Sequence, residues 1–205
     1  MKLREALAEL RKEEKRKFSQ SIDLIINLKG IDVKRTSINL VVSLPHKIKD
    51  KKVCAFLEAK STVVKTVTKP EFDTYKDKKA LKNLVSDYDF FIANAKLMPA
   101  VAAAFGKALG PSGKMPSPQL GVVTDESPAA IQALLAKIDK SMKIRAKEPS
   151  IKLSIGNESM SDEHLEANAV AIYDGLIATL PTKKENIKNM MVKYTMSKPL
   201  AVELL

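Results

Sequence analysis

Residues 22–28, IDLIINL, decide how this chain is read. Ile22, Leu24, Ile26 and Leu28 alternate with Asp23, Ile25 and Asn27. A period of two marks a strand with one face in a core and one in water. The pattern recurs at once, with Ile38, Leu40, Val42 and Leu44 against Asn39, Val41 and Ser43, until Pro45 ends it. These two strands are expected to pair as an antiparallel hairpin across a long connection that starts at Gly30-Ile31-Asp32.

The same pattern returns at the other end of the chain. Ile151, Leu153 and Ile155 alternate with Lys152 and Ser154, with Gly156-Asn157 as a turn signal. Val192, Tyr194 and Met196 alternate with Lys193 and Thr195, and 200–204 is a last apolar run. Between them Ser161 caps a helix that carries Asp162 and Glu163 in its positive first turn. Leu165, Ala169, Ile172, Leu176 and Leu180 form its buried stripe, and Pro181 stops it. Residues 2–16 read as an amphipathic helix on Leu3, Leu7 and Leu10. The run 11–17, RKEEKRK, reads as a solvated helix end, with an anionic partner as the alternative.

The middle has another pattern. After a charged linker, PHKIKDKK (45–52), short apolar strands at 53–57, 62–67 and 89–93 alternate with helices at 76–86, 98–109 and from Ser127-Pro128 to about Asp139; 143–147 reads as a last strand. That order predicts a small parallel α/β layer. The fold expected is therefore α/β and α+β in two domains. Residues 1–47 and 148–205 form a discontinuous α+β domain, and 48–147 an inserted α/β domain, with hinges near 45–52 and 146–150.

The densest punctuation is GKALGPSGKMPSP (106–118), read as a loop that presents Lys114 beside Met115. A Walker phosphate loop fails here, because Ala108 stands at the first glycine and Met115 at the metal-binding hydroxyl. Gly110-Pro111-Ser112-Gly113 matches the short G-x-x-G loop of KH modules, and a plain helix-to-helix connection is the alternative.

Catalysis finds little to work with. The chain has two histidines, His46 and His164, and one cysteine, Cys54, without metal-ligand spacing or a nucleophile set. Cys54 lies in an apolar run and reads as a small buried hydrophobe. Asp125-Glu126 and Asp87-Tyr88-Asp89 read as solvated turn acids. No enzyme, cofactor or metal is expected. Aromatic residues make up only 5%, which predicts an aliphatic core. With one cysteine, no apolar signal core and no long apolar span, the chain reads as cytoplasmic, without a membrane.

The net charge of +11 points to nucleic acid. Its placement conflicts with the strand pattern. Residues 1–47 and 148–205 hold 17 cations and 14 anions, or +3, and residues 48–147 hold 18 and 10, or +8. Charge alone places nucleic acid on the middle domain. Yet Asp23, Asn27, Lys152, Ser154, Lys193 and Thr195 all point away from the apolar sides of the end strands. Such a polar face suits RNA shape and 2′-hydroxyls, and a merely solvated sheet is the alternative.

The stretches KFSQSIDLIINLKGIDVKR (17–35), SLPH (43–46), DFFIANAKLMP (89–99), LGPSGKMPSP (109–118), SIGNESMSDE (154–163) and KYTMS (193–197) together resemble the large-subunit ribosomal protein one family in its archaeal form. The resemblance runs in order over nearly the whole chain. It implies a split β-α-β end domain built from both termini, with a Rossmann-like domain inserted in it. It also implies a structural, non-enzymatic role at the mobile side stalk near the tRNA exit site. The partners implied are large-subunit rRNA through the end domain, exit-site tRNA and the protein's own mRNA, for a free monomer. The RNA-binding residues implied are Lys17, Phe18, Ser21, Lys152, Asn189, Lys193, Thr195, Met196 and Ser197. Ser197 stands where the family has glycine, and Asn189 where it often has serine. A KH-like regulator and a small enzyme acting on a phosphorylated substrate are the readings from other classes.

Overall fold

The computed structural model describes residues 1–12, 16–31, 38–118, 120–146 and 148–203. In chain order the first elements are α1 (Leu3–Leu10), β1 (Ser21–Leu28), β2 (Ile38–Ser43), β3 (Val53–Phe56) and β4 (Lys65–Val67). Next come α2 (Lys78–Asp87), β5 (Phe90–Asn94), α3 (Met98–Ser112), β6 (Val122–Val123) and α4 (Pro128–Asp139). Last are β7 (Ser141–Ala146), β8 (Ser150–Asn157), α5 (Asp162–Thr179), β9 (Ile187–Tyr194) and β10 (Leu200–Val202). The first helix stops at Leu10, with Arg11 and Lys12 already in a turn, short of the expected 2–16. Residues 13–15, the connection from Asp32, and the strand ends expected at Lys147 and Leu204 lie outside the described residues. The chain divides into two compact units, residues 1–49 with 140–205, and residues 50–139.

In the discontinuous unit a four-stranded antiparallel sheet has the order β10-β9-β1-β8. β8 and β9 both run antiparallel to β1 and lie on either side of it, joined by α5, which makes a split β-α-β unit. The buried face of β1, Ile22, Leu24, Ile26 and Leu28, packs with Leu3, Leu7 and Leu10 of α1 and Leu165, Ala169, Ile172 and Leu176 of α5. Each leucine or isoleucine among them contributes about 1.5–3 kcal/mol on burial. Gly156-Asn157 ends β8 rather than forming the turn, which follows it.

The expected β1–β2 hairpin does not form. β1 pairs with strands from the other end of the chain, and β2 pairs with β7, from Ile38↔Ala146 to Ser43↔Ser141. Alternation fixes which face of a strand is buried, and leaves open which strand lies beside it. The pairing moves the second boundary. The strand expected near 143–147 as the end of the inserted layer belongs to the discontinuous unit, so the division falls at 139/140 instead of 147/148. Ser43 opposite Ser141, with Leu44 N–H donating to Lys140 C=O, brings the segments where the chain leaves and re-enters this unit side by side.

With the first division at 49/50 instead of 47/48, the two shifts also remove the charge conflict. Lys49, Lys140, Lys143, Arg145 and Lys147 now count with the discontinuous unit, which holds 22 cations and 14 anions, or +8. Residues 50–139 hold 13 and 10, or +3.

In the inserted unit four parallel strands have the order β4-β3-β5-β6. Every residue of the central β3 is buried, as expected for a parallel strand covered on both faces. The core is not aliphatic. Phe56, Phe72, Phe91 and Phe105 pack with ring centroids 4.9–5.8 Å apart along a chain of contacts. The few aromatic residues of the sequence are concentrated here. Cys54 is buried among them, and burial pushes its thiol up to about 12, which makes it an inert packing group.

The Gly/Pro stretch is mostly helix. α3 runs through Gly110-Pro111-Ser112, so neither a KH-type loop nor a phosphate loop exists there. Gly113, at φ 72°, closes the helix: its N–H donates to Gly110 C=O at 3.0 Å, and Lys114 N–H to Leu109 C=O at 3.1 Å. This is a Schellman ending, which needs a left-handed residue. The Lys114 ammonium turns inward and donates to the carbonyls of Val85 and Tyr88 at 2.6 and 2.7 Å, capping the C-terminal end of α2.

Glu126 is likewise not a solvated turn acid. It accepts from Glu58 N–H at 2.9 Å, Ala59 N–H at 3.3 Å and Asn94 Nδ2 at 2.6 Å, just beyond the carboxyl ends of β3 and β5. Burial alone would raise its carboxyl, but the Asn94 amide and the two backbone donors hold it below the usual carboxylate value. Open α/β sheets take ligands in the crevice at this edge. Here the Glu126 carboxylate stands at that edge, bound to the ends of β3 and β5.

Candidate nucleic-acid interface

One face of the four-stranded sheet lies under α1 and α5. Two ion pairs tie this side together, Arg4 of α1 with Glu166 of α5 at 2.6 Å and Arg11, just after α1, with Asp162 at 2.7 Å. The other face carries the odd-numbered residues of β1, each half-buried. Register extends them into rows across the sheet: Ser154, Asp23 and Lys193; Lys152, Ile25, Met191 and Ala201; Ser150, Asn27 and Asn189. Asn27 Nδ2 donates to Asn189 Oδ1 at 2.7 Å, which fixes both amides on this face. Partial burial raises the Asp23 carboxyl, and neighbouring Lys193 opposes the shift.

At the N-terminal end of β1 the segment 17–21 meets the turn after β9. Thr195 N–H donates to Ser21 C=O at 3.1 Å, and the Ser21 and Thr195 hydroxyl oxygens are 3.3 Å apart. Thr195 Oγ1 also reaches the Ser21 carbonyl, at 3.3 Å. Buried Gln20 accepts Met196 N–H on its Oε1 at 3.3 Å. Ser197 closes the turn: its Oγ accepts Tyr194 N–H at 2.9 Å, and it donates to Lys198 C=O at 3.2 Å.

Two large apolar side chains stand in the open beside this hydroxyl pair, Phe18 at 53% exposure and Met196 at 64%. Alternation had put Met196 with the buried Val192 and Tyr194. β9 ends at Tyr194, however, and Met196 belongs to the turn. A groove of about 570 Å³ adjoins the site, lined by Arg11, Arg16, Lys17, Phe18, Ser19, Glu158 and Ser159.

The nine expected contact residues thus fall in two places. Lys17, Phe18, Ser21, Thr195, Met196 and Ser197 lie at one end of the sheet. Lys152, Lys193 and Asn189 lie in three separate rows along the open face. Gln20, Arg16 and Asn27 stand outside those nine, although Asn27 was read on the polar face and Arg16 within the charged run 11–17. Gln20 had a signal, because it shares the parity of Ile22, Leu24 and Ile26, and a polar residue on a buried parity needs a partner. What the structure adds is the Asn27–Asn189 pairing and the place of Arg16 in the groove wall.

Exposed hydroxyls, two open apolar side chains and flanking cations are what an RNA surface contains: hydroxyls for ribose and phosphate, apolar groups for bases, cations for the backbone. The comparisons with known proteins agree. The family model described as ribosomal protein L1p/L10e family matches residues 10–198. A large ribosomal subunit protein uL1 of Thermofilum pendens is 38% identical over 201 residues, covering 92% of this chain and 86% of its own. The protein of the same name from Pyrococcus horikoshii is 33% identical over 214 residues, covering 98% and 95%. That from Cenarchaeum symbiosum is 33% identical over 193 residues, covering 89% and 87%. With matches of this extent, the chain belongs to the ribosomal protein L1p/L10e family, in its archaeal type.

Proposed function

We propose that this protein is a structural, non-enzymatic constituent of the large ribosomal subunit that binds large-subunit rRNA through the discontinuous unit. The observation that carries the proposal is the Ser21–Thr195 hydroxyl pair in the same two segments as exposed Phe18 and Met196. The +8 charge of the same unit and the names of the relatives support it. The finer reading places the protein at the mobile side stalk near the tRNA exit site, where it assists release of deacylated tRNA. It also has the free monomer repress translation of its own mRNA by binding a similar RNA structure. Both roles use one RNA surface, so rRNA and mRNA compete for it.

The test is sedimentation with large subunits together with binding to an rRNA side-stalk fragment over a salt series. The protein should travel with the subunits. Its log K should fall linearly with log salt, with a slope of about 0.9 per duplex phosphate neutralised. Binding that ignores salt, or that duplex DNA competes for equally, overturns the proposal.

A further inference from the structure

A second set of cations collects at the opposite end of the same sheet. Buried Asn186 ties two loops together there. Its carbonyl accepts Lys29 N–H at 2.7 Å, its Nδ2 donates to Lys29 C=O at 3.2 Å, and its Oδ1 accepts Thr182 N–H at 2.8 Å. The tie sets Lys29 beside the short helical turn Lys183–Asn186, which leads directly into β9. Lys183 holds a left-handed backbone, φ 50°, which a lysine adopts unfavourably.

β9 then bulges. Asn27 pairs with Asn189 and Leu28 with Ile187, so Lys188 is an extra residue, and Lys188 and Asn189 are both exposed. Bulges re-aim side chains and are frequent beside functional sites. Lys184, Lys188 and Asn189 line one groove of about 350 Å³, with Glu203 among its other walls. Lys29, Lys183, Lys184 and Lys188 are all exposed, and among the described residues none of the four is in an ion pair.

A solvated turn would need neither the buried asparagine tie nor the bulge. β1 leads from the hydroxyl pair at Ser21 to this cationic end at Leu28, roughly 23 Å of strand at the usual rise. The polar rows of the open face lie between.

We propose that Lys29, Lys184 and Lys188 form a second RNA contact, holding backbone phosphates of the same RNA that meets Thr195. The contact rests on the RNA-binding reading above. Lysine ammonium groups act here as point charges that fix the register of the RNA, while the Thr195 end supplies the closer contacts.

The experiment uses the full chain and a large-subunit rRNA side-stalk fragment. Parent, Lys184→Gln/Lys188→Gln and Thr195→Val are titrated over one salt series. Losing two phosphate contacts should reduce the slope of log K against log salt by about 1.8. Thr195→Val should lower K at an unchanged slope, and Lys184→Arg/Lys188→Arg should keep the parent slope. If the double glutamine variant binds like the parent while Thr195→Val is weakened, the lysines are solvent-facing and the second contact is wrong. A fall in K without a change of slope also overturns it, because the lysines would then act through the fold. If neither variant alters binding, the interface reading fails and the second contact fails with it. Because the substituted side chains are exposed, the thermal midpoint should not move, which checks folding.

Discussion

Thr195→Val should leave folding almost unchanged and weaken rRNA binding by about 5- to 150-fold, the equivalent of about 1–3 kcal/mol for a desolvated partner left unpaired. Valine keeps the shape and branching of threonine. The backbone hydrogen bond from residue 195 to the Ser21 carbonyl does not depend on the side chain. What disappears is the hydroxyl 3.3 Å from Ser21 Oγ, next in the chain to exposed Met196. Ser197→Gly is its companion. The Ser197 hydroxyl is spent inside the turn, on Tyr194 N–H and Lys198 C=O. Glycine there frees space for RNA but loosens the turn, so binding should stay within a few-fold of the parent. Filter binding at fixed salt reads both. A Thr195→Val protein that folds normally and binds like the parent removes this turn from the interface.

The larger effect on stability is expected at Asn168. Its side chain is fully buried on α5, and its amide is fully used: Nδ2 donates to His46 C=O at 3.1 Å and Ile155 C=O at 3.0 Å, and Oδ1 accepts His46 N–H at 3.0 Å. It pins the segment after β2 to both α5 and β8. The His46 ring stacks on His164 of α5, centroids 3.7 Å apart, over the same junction. Asn168→Ala leaves one donor and two acceptors without partners and opens a cavity. The loss should be about 3 kcal/mol, a large fraction of the 5–15 kcal/mol that holds a typical domain. Asn168→Asp should be worse, because a carboxylate would face two carbonyls. The check is the denaturant midpoint, which should fall at an unchanged slope. A midpoint within 0.5 kcal/mol equivalent of the parent, on the order of ordinary surface substitutions, would show that solvent satisfies these groups.

Much of the fold was legible because parity in a strand and periodicity in a helix report burial directly. The faces of β1, β8 and α5 were read correctly from spacing. Strand partners were not legible: β1 and β2 share one pattern, and only the assembled sheet shows that each pairs with a strand from beyond residue 139. That same ambiguity hid the boundary and inverted the charge argument. Residues 106–118 misled for a different reason. Glycine and proline mark helix ends as well as loops, and the difference at Gly113 lies in which carbonyls its neighbours meet. Lys114 and Glu126 carry no sequence sign that they turn inward. For the proposed interface, the family resemblance implied nine residues, and the fold places them in an end cluster and along an open face. Met196 shows the limit of alternation, which stops being informative where the strand stops.

The central claim is that the unit built from both ends of the chain carries the RNA affinity. It is tested most directly by joining residues 1–49 to 140–205 through a short linker and measuring its affinity for the side-stalk rRNA fragment against the full chain and against residues 50–139 alone, at one salt concentration. The account predicts that the joined ends, with their +8 charge, keep most of the affinity, and that residues 50–139 fold but bind weakly. Affinity that stays with residues 50–139 and is lost from the joined ends would contradict it.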